Sequence, residues 1–402
     1  MKRLFLFITL LFGFQFLAVA QKKVVNQAIN QAQTFIKSGK NLDKAEKLMS
    51  DLLKDSINRE NIKIWYTLAD ALKKQYEQGN EKLYLKQNYD TIALFNNAKK
   101  MFLVHEGMDS VDAKPDKKGK INIKYRERNA EYLNTFRPNL YNAGSFYMKK
   151  NNYATAYDFY DMYLDCARQP LFRSYNYAQR DTLMPQAGFW ALYAGYKMHD
   201  AEKVMKYRSY AEQDSARLDN TIQYLAETFL AQKDTAQYVE QLNRGFERVP
   251  AHPFFFPRVI DYYNSVGKTD SANIIINEAL AADSLNQLFV FAKSTALLNE
   301  GNYDECIKMT ERLIQLNDSL PEAYCNMGLA YYNKALNLEK SLPRTRKNRK
   351  TVNACYEQSR PYMEKYRAMA PEQKSKWVPP LYTIYLNLNM GKEFEEIDNM
   401  IK

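Results

Sequence analysis

The side chains that most often act as catalytic bases are scarce in this chain, which contains three histidines, His105, His199 and His252. A serine, cysteine or threonine nucleophile usually needs a histidine beside it, and a zinc protease carries two histidines four residues apart on one helix. The three histidines are widely separated, and no pair has that spacing. The sequence therefore predicts a structural role for each histidine and no metal site.

Glycine-rich loops that cradle a nucleotide or expose a nucleophile are absent from the sequence. No two of the 13 glycines lie closer than seven residues, which excludes both G-x-G-x-x-G and G-x-S-x-G. The tetrapeptide GKTD at Gly267 resembles the end of a phosphate loop, but Tyr262 stands where that loop needs another glycine. A pair of catalytic carboxylates stays open, because their separation is a three-dimensional property. We otherwise expect a protein that is not an enzyme and has no cofactor.

The cysteines predict neither a redox pair nor a zinc site. Cys166, Cys306, Cys325 and Cys355 are never closer than nineteen residues, so no C-x-x-C pair exists. We expect buried free thiols, since isolated cysteines commonly pack as small apolar residues. A disulfide remains open, because an oxidising compartment would permit one.

Two stretches of the chain concentrate positive charge. The first lies within eleven residues and contains no acid: Lys340, Arg344, Arg346, Lys347, Arg349 and Lys350. The second is diluted by Glu127: Lys117, Lys118, Lys120, Lys124, Arg126 and Arg128. The first stretch is interpreted either as a solvated loop or as a basic loop that binds an acidic partner or anionic lipid.

The N-terminal residues predict export from the bacterial cytoplasm. Lys2 and Arg3 precede an apolar run from Leu4 to Leu17, and Ala18-Val19-Ala20 forms a small-x-small cleavage site. We therefore predict a signal peptide over residues 1–20, cleavage between Ala20 and Gln21, and a periplasmic or secreted protein. An uncleaved anchor is the alternative. Export makes nucleic acid an improbable partner despite the net charge of +11.

A tyrosine-rich segment, Arg137 to Asp165, shows how the chain is organised. Apolar and small residues recur at spacings of three and four on each side of the polar turn KKNN: Leu140, Ala143, Gly144 and Tyr147, then Tyr153, Ala156, Tyr160, Tyr163 and Leu164. Such spacing predicts two amphipathic helices. We expect the rings of Tyr147, Tyr160 and Tyr163 to lie in the core and Tyr141 to face a partner.

The same layout recurs further along the chain at intervals of thirty-four residues. First-helix sites are Ala226, Ile260, Ser294 and Gly328, and second-helix sites are Tyr238, Ala272 and Cys306. A helix-turn-helix period of this length, with small and aromatic residues at these spacings, resembles the tetratricopeptide repeat (TPR) family, here of an exported bacterial type. The clearest copies are "LPEAYCNMGLAYYNKA" and "PNLYNAGSFYMKKNNYATAYDFY".

The resemblance implies an all-α fold, a right-handed α-solenoid of about eight stacked helix pairs over residues 21–402. A pair cannot bury its apolar face alone, so neighbouring pairs would share one continuous core. Three stretches depart from the period, and we expect loop insertions on the surface near residues 106–122, 167–184 and 339–353.

Proteins of this family are usually scaffolds that hold a partner on the concave face lined by first helices. Residues expected on that face are Tyr66, Asp70, Tyr141, Ser145, Phe291, Thr295, Cys325, Leu329 and Tyr332. Some members clamp a carboxylate with Lys and Asn four apart, and this chain has neither at those positions. The resemblance therefore implies apolar or aromatic recognition of an envelope protein or peptide, with peripheral membrane contact open through the basic loop.

A glycan, cell-wall polymer or anionic lipid is the alternative ligand, because helical-repeat proteins also serve in outer-membrane glycan uptake. Those proteins are typically lipoproteins with exposed tryptophans. This chain has three tryptophans, Trp65, Trp190 and Trp377, and no cysteine near Ala20 for a lipid anchor.

Overall fold

The computed structural model describes residues 21–343 and 345–401, which form helices and connecting turns with no strand among them. The predicted signal peptide, residues 1–20, lies outside the described residues, and so does Arg344 of the basic stretch. Within them, no helix combines the length and the apolar character needed to cross a membrane. The chain divides into two compact units, Met1–Lys233 and Asp234–Lys402.

The first unit is a succession of helices in which neighbours along the chain pack on one another. Its helices are α1 (residues 21–38), α2 (Leu42–Leu52), α3 (Ile62–Tyr84), α4 (Thr91–Asp112), α5 (Arg126–Asn134), α6 (Arg137–Lys149), α7 (Tyr153–Asp165), α8 (Tyr177–Arg180), α9 (Met184–Lys197), α10 (Ala201–Lys206), α11 (Arg208–Ala211) and α12 (Leu218–Ala231). Helix α3 packs on both α2 and α4, α7 packs on α6 and α9, and α9 also contacts α12.

The second unit continues the same plan with longer helices near its end. Its helices are α13 (Thr235–Arg248), α14 (Phe255–Ser265), α15 (Thr269–Ala282), α16 (Gln287–Asn299), α17 (Tyr303–Leu316), α18 (Pro321–Ser341), α19 (Arg346–Met369), α20 (Lys374–Asn387) and α21 (Gly391–Ile401). Each helix packs on the next, and the first helices α16, α18 and α20 also contact one another in sequence.

The 34-residue period is present in the backbone. Four turn residues that lie at successive intervals of thirty-four have a positive φ: His199 (56°), Lys233 (62°), Gly267 (72°) and Gly301 (79°). Three of these turns close with the 6→1 hydrogen bond of a Schellman motif, for example Asn302 N to Leu297 O at 2.9 Å. The first helices α9, α14 and α16 therefore end in the same way.

Packing between the paired helices follows the predicted small and large sites. Ala226, Ser294, Ala272 and Cys306 are buried. A Cβ added at Gly144 would lie 2.8 Å from the ring of Tyr160, and one at Gly328 would lie 2.4 Å from Met363 Sδ. At both positions the facing side chain lies against the helix backbone, so a larger residue would force that side chain to move. The predicted all-α repeat fold is confirmed.

The first predicted insertion is shorter than expected. Helix α4 continues to Asp112, so the prediction of a loop is wrong for residues 106–112. The remaining connection is fixed at its far end, where the Asp112 carboxylate accepts the backbone N–H groups of Lys124 and Tyr125 at 2.6 and 2.9 Å. Part of the second basic stretch thus belongs to an ordered turn.

The second predicted insertion, residues 167–184, is not confined to the surface, and the expectation of a surface loop is wrong here. It contains a 3₁₀ helix, Pro170–Tyr175, and Leu171, Phe172 and Tyr177 are buried. The guanidinium of Arg137 lies 3.7 Å from the ring centroids of both Tyr163 and Tyr177. Its Nη1 is 2.5 Å from the carboxylate of Asp181. These contacts anchor the segment to α6 and α7.

The third predicted insertion is largely helical. Helix α18 continues to Ser341 and α19 begins at Arg346, which leaves residues 342–345 as the connection. The side chain of Thr345 caps α19 by accepting the N–H of Asn348 at 3.2 Å. The prediction of a basic loop is therefore wrong for Arg346, Lys347, Arg349 and Lys350, which lie exposed on the first turns of α19.

Candidate functional site

The residues with catalytic potential occupy structural positions. His105 is buried, with Nδ1 2.7 Å from Met101 O, and His199 is one of the left-handed turn residues. His252 Nδ1 accepts the backbone N–H of Phe254 at 3.2 Å. All four cysteines are free, and burial raises the pKa of Cys325 to about 11. Among the described residues, no three metal-binding side chains form a group that could hold an ion.

The predicted pair Tyr66 and Asp70 lies on α3 beside α5. The Tyr66 ring is 36% exposed and lies 5.9 Å from the ring of Tyr125, with the Arg128 guanidinium 5.8 Å from its centroid. Burial raises the pKa of Asp70, and the charges of Lys73 and Arg128 oppose that rise. The pair therefore forms part of a mixed polar and aromatic surface.

The predicted pair Tyr141 and Ser145 contributes to packing as well as to the surface. Tyr141 is half-buried, and its ring meets those of Tyr160 and Tyr163 edge-on at 5.5 and 5.7 Å. The hydroxyl of Ser145 is hydrogen-bonded to that of Tyr160 at 2.9 Å. The buried positions predicted for Tyr147, Tyr160 and Tyr163 are confirmed.

Tyr141 borders a set of partly buried rings on α9 and α12. Burial raises the pKa of Tyr141, and the neighbouring Arg217 and Trp190 oppose that rise. The ring of Trp190 lies 6.0 Å from that of Tyr193. Tyr224 lies 5.2 Å from Tyr193 and stacks on Tyr196 at 4.5 Å. We name this set, Tyr141, Trp190, Tyr193, Tyr196 and Tyr224, the aromatic surface.

Polar groups at the edge of the aromatic surface hold its rings in place. The Arg217 guanidinium lies 5.7 Å from the Trp190 ring and donates to Asp214 at 2.8 Å. The Tyr196 hydroxyl donates a hydrogen bond to Glu227. Burial, followed by this hydrogen bond, raises the pKa of Tyr196 to about 12. These contacts preorganise the rings of Trp190 and Tyr196.

The predicted pair Phe291 and Thr295 lines a cleft of about 540 Å³ in the second unit. Helices α14, α15 and α16 form its walls, and Ile260 and Ile276 belong to its floor. Three exposed carboxylates lie among the lining residues: Asp261, Asp270 and Glu300. We name this feature the acidic cleft.

The predicted residues of α18 are mainly engaged in packing. Cys325 is buried, and Leu329 packs against the core that surrounds Tyr356. The Tyr332 ring lies 6.1 Å from that of Tyr356, and its hydroxyl donates to Thr383 Oγ1 at 3.3 Å.

The exposed cations of the basic stretch lie on the first turns of α19. A cation at a helix N-terminus is electrostatically unfavourable, so these cations do not stabilise that helix.

Several solved structures of repeat proteins are similar to this chain. One is the C-terminal part of a TPR repeat-containing protein from Cytophaga hutchinsonii, with 12% identity over 64% of this chain and 92% of that chain and a TM-score of 0.43. Others are a monomeric mutant of IFIT1 with Gppp-AAAA, with 13% identity over 88% and 71% and a TM-score of 0.37, and the P58(IPK) TPR domain, with 10% identity over 87% and 99% and a TM-score of 0.26. No family model and no curated protein matches the chain.

Because these TM-scores lie below 0.5, the chain's own repeat decides its assignment. The left-handed turn residues and the buried small residues share one 34-residue period. The chain is an all-α helical-repeat protein, and its 34-residue repeat resembles that of the TPR family.

Within this TPR-type fold, sequence reasoning missed most of the aromatic surface. Trp190, Tyr193 and Tyr196 recur at intervals of three on α9, and that spacing indicates one stripe of a helix. Their segment departs from the regular repeat spacing, which obscured the stripe. Tyr224 joins them only through the contact between α9 and α12.

Proposed function

We propose that this protein is a non-enzymatic scaffold of the bacterial envelope and that it binds another envelope protein through the aromatic surface. The observation that carries the proposal is the set of neighbouring, partly buried rings on α6, α9 and α12, with Arg217 at its edge. Tryptophan, tyrosine and arginine contribute most of the binding energy at many protein interfaces. Tyrosine and tryptophan also lose little conformational freedom on binding.

Two features of the sequence support the envelope location and a second contact. The basic start, apolar run and small-x-small site of residues 1–20 have the form of a secretory signal. The exposed cations Arg346, Lys347, Arg349 and Lys350 suit an acidic partner or an anionic membrane surface.

The test is photo-crosslinking in living cells. A photoreactive phenylalanine analogue replaces Tyr193 in one variant and Tyr84, which is 85% exposed at the end of α3, in the control. We expect one envelope protein to be recovered at position 193 and not at 84, and recovery to fall when Trp190→Ala is added. A variant with the four α19 cations changed to Gln shows whether these charges contribute to recovery of the protein cross-linked at position 193. The proposal fails if both positions recover the same proteins, or if neither recovers any.

The alternative ligand, a glycan, is tested on the same surface. Trp377 is buried, and Trp65 Nε1 donates to Arg59 O at 2.8 Å, so Trp190 is the tryptophan that reports on the aromatic surface. In a Trp65→Phe, Trp377→Phe variant, soluble envelope glycans should leave the Trp190 fluorescence unchanged. A saturable shift, with no protein cross-linked at position 193, would replace the scaffold with a polymer-binding protein.

A further inference from the structure

We infer that the acidic cleft binds an amphipathic helix of a partner protein, with lysine or arginine beside its apolar face. The inference concerns the second unit alone and does not depend on the aromatic surface. With both sites, the chain would hold two chemically different protein segments at once and would act as an adaptor between them.

The cleft opens between the two first helices α14 and α16, above α15. Near their N-termini α14 and α16 are in contact, where the rings of Phe256 and Phe289 lie 4.7 Å apart. Towards their C-termini, Asn264 and Asn299 line opposite walls of the open space. The open space between them has a volume of about 540 Å³.

The floor of the cleft is apolar and offers small residues where a helix could approach. Ile260, Ala272 and Ile276 are buried beneath it. Ala292 and Ala296, four residues apart on α16, face it and are partly exposed. Small residues one turn apart let the backbone of a second helix come close, while a large ring such as Phe291 fills the space beside it.

A helix suits the cleft better than an extended peptide. The walls are helices, whose backbone hydrogen-bonding groups are already paired, so no sheet edge is available to add a strand. Elsewhere in the second unit α16 contacts α18, and α18 contacts α20. The cleft therefore occupies the place where a direct contact between first helices is incomplete, and a helix from a partner could complete it.

The rim of the cleft selects the charge of that helix. Asp261, Asp270 and Glu300 are exposed around it, and no lysine or arginine lines it. Glu300 accepts a hydrogen bond from Asn273 at 2.5 Å, which holds its carboxylate at the rim. Complementary charges at the edge of an interface mainly increase the association rate and exclude partners of the wrong sign.

The test uses three synthetic 16-residue helical peptides with a fluorophore, each titrated with full-length mature protein by fluorescence anisotropy. The first carries leucines at intervals of three and four, flanked by lysines. The second replaces the lysines with glutamates, and the third keeps the composition of the first but spreads its leucines around the helix. We expect the first to bind about tenfold or more tighter than either control, with affinity that falls as salt rises.

Variants then locate the binding. Asp261→Asn, Asp270→Asn and Glu300→Gln together should weaken the lysine peptide about tenfold, since exposed charges have modest individual effects. A matched control neutralises three exposed acids outside the cleft, Glu278→Gln, Glu311→Gln and Glu357→Gln, and should leave the affinity unchanged. Ala292→Phe, which fills the cleft, should abolish binding of the lysine peptide. Ala296→Leu is a second variant that fills the cleft. Circular dichroism checks that both variants are folded.

Outcomes that overturn the inference are distinct from those that overturn the proposed function. Equal binding of the lysine peptide with dispersed leucines would show simple charge attraction. Equal loss in the cleft and control variants would place the binding elsewhere. Tyr193→Ala should leave peptide binding unchanged, because Tyr193 belongs to the aromatic surface. If that variant alone weakens the lysine peptide, the acidic cleft is not its site.

Discussion

The aromatic surface of the first unit and the acidic cleft of the second are both built on first helices of the repeat. In the first unit α9 packs on α12, and rings such as Tyr193 and Tyr224 cover the junction. In the second, the rings of Phe256 and Phe289 bridge α14 and α16, and alanines line the cleft beside them. The size of the side chains at these junctions therefore distinguishes a filled surface from an open site.

The largest expected difference in stability is between two tyrosines of the first unit, Tyr160 in the core and Tyr141 in the aromatic surface. Tyr160 is fully buried against Gly144, so Tyr160→Ala should lower the free energy of unfolding by about 3–5 kcal/mol. Tyr141 is half-buried but meets two buried rings, so Tyr141→Ala should cost about 1 kcal/mol. Urea unfolding of both variants measures the difference. Equal costs would show that Tyr141 belongs to the core and not to the aromatic surface.

The same substitution in the two regions should have different effects. Ala191, on α9, is fully buried, so Ala191→Leu should destabilise by about 1–3 kcal/mol through overpacking. Ala292→Leu points into the acidic cleft, where space is available, and should change stability by no more than about 0.5 kcal/mol. The midpoints of urea unfolding decide between them. A large cost for Ala292→Leu would mean that the cleft is closed in solution.

The third and smallest expected difference is in the pH dependence of stability, between the partly buried carboxyl of Glu106 and the exposed carboxylates of the acidic cleft. Burial, reinforced by the negative charge of Asp165, raises the pKa of Glu106 to about 7. Between the ordinary pKa of glutamate and pH 7 the unfolded chain loses this proton while the folded protein keeps it, so stability falls as pH rises through that range. Glu106→Gln should remove about 1–2 kcal/mol of this loss, measured as the difference in unfolding free energy between pH 5 and pH 8.

The exposed acids of the cleft serve as the control for this pH dependence. Asp261→Asn, Asp270→Asn and Glu300→Gln should leave the stability difference between pH 5 and pH 8 as it is in the unmodified protein. If Glu106→Gln also leaves it unchanged, the carboxyl of Glu106 is solvated and the region around α4 is more open than described.

The sequence predicts the features of this fold that depend on local spacing. The 34-residue period and the burial of Tyr147 and Tyr160 follow from intervals of three, four and thirty-four residues. The anchoring of residues 167–184 could not be predicted in that way, because Arg137 and Asp181 are forty-four residues apart and meet only in the folded chain.

The two candidate sites differ in how far they could be anticipated. Phe291 and Thr295 lie on one helix, but the cleft beside them depends on the distance between α14 and α16, which no sequence spacing encodes. For the basic stretch, the local charge pattern itself misleads, because it predicts a loop where α19 begins at Arg346. Val352 and Tyr356, four residues apart and both buried, continue the helical period of α19 beyond it.

The four left-handed turn residues show which part of the repeat is cause and which is effect. Gly267 and Gly301 adopt a positive φ without steric cost, whereas His199 and Lys233 adopt it at a cost of about 1 kcal/mol each. Because all four turns have the same handedness despite these different side chains, turn chemistry does not shape the repeat. The docking of two helices imposes the turn. All four residues are exposed, so substitutions at these positions can change the local surface of each turn while the architecture stays fixed.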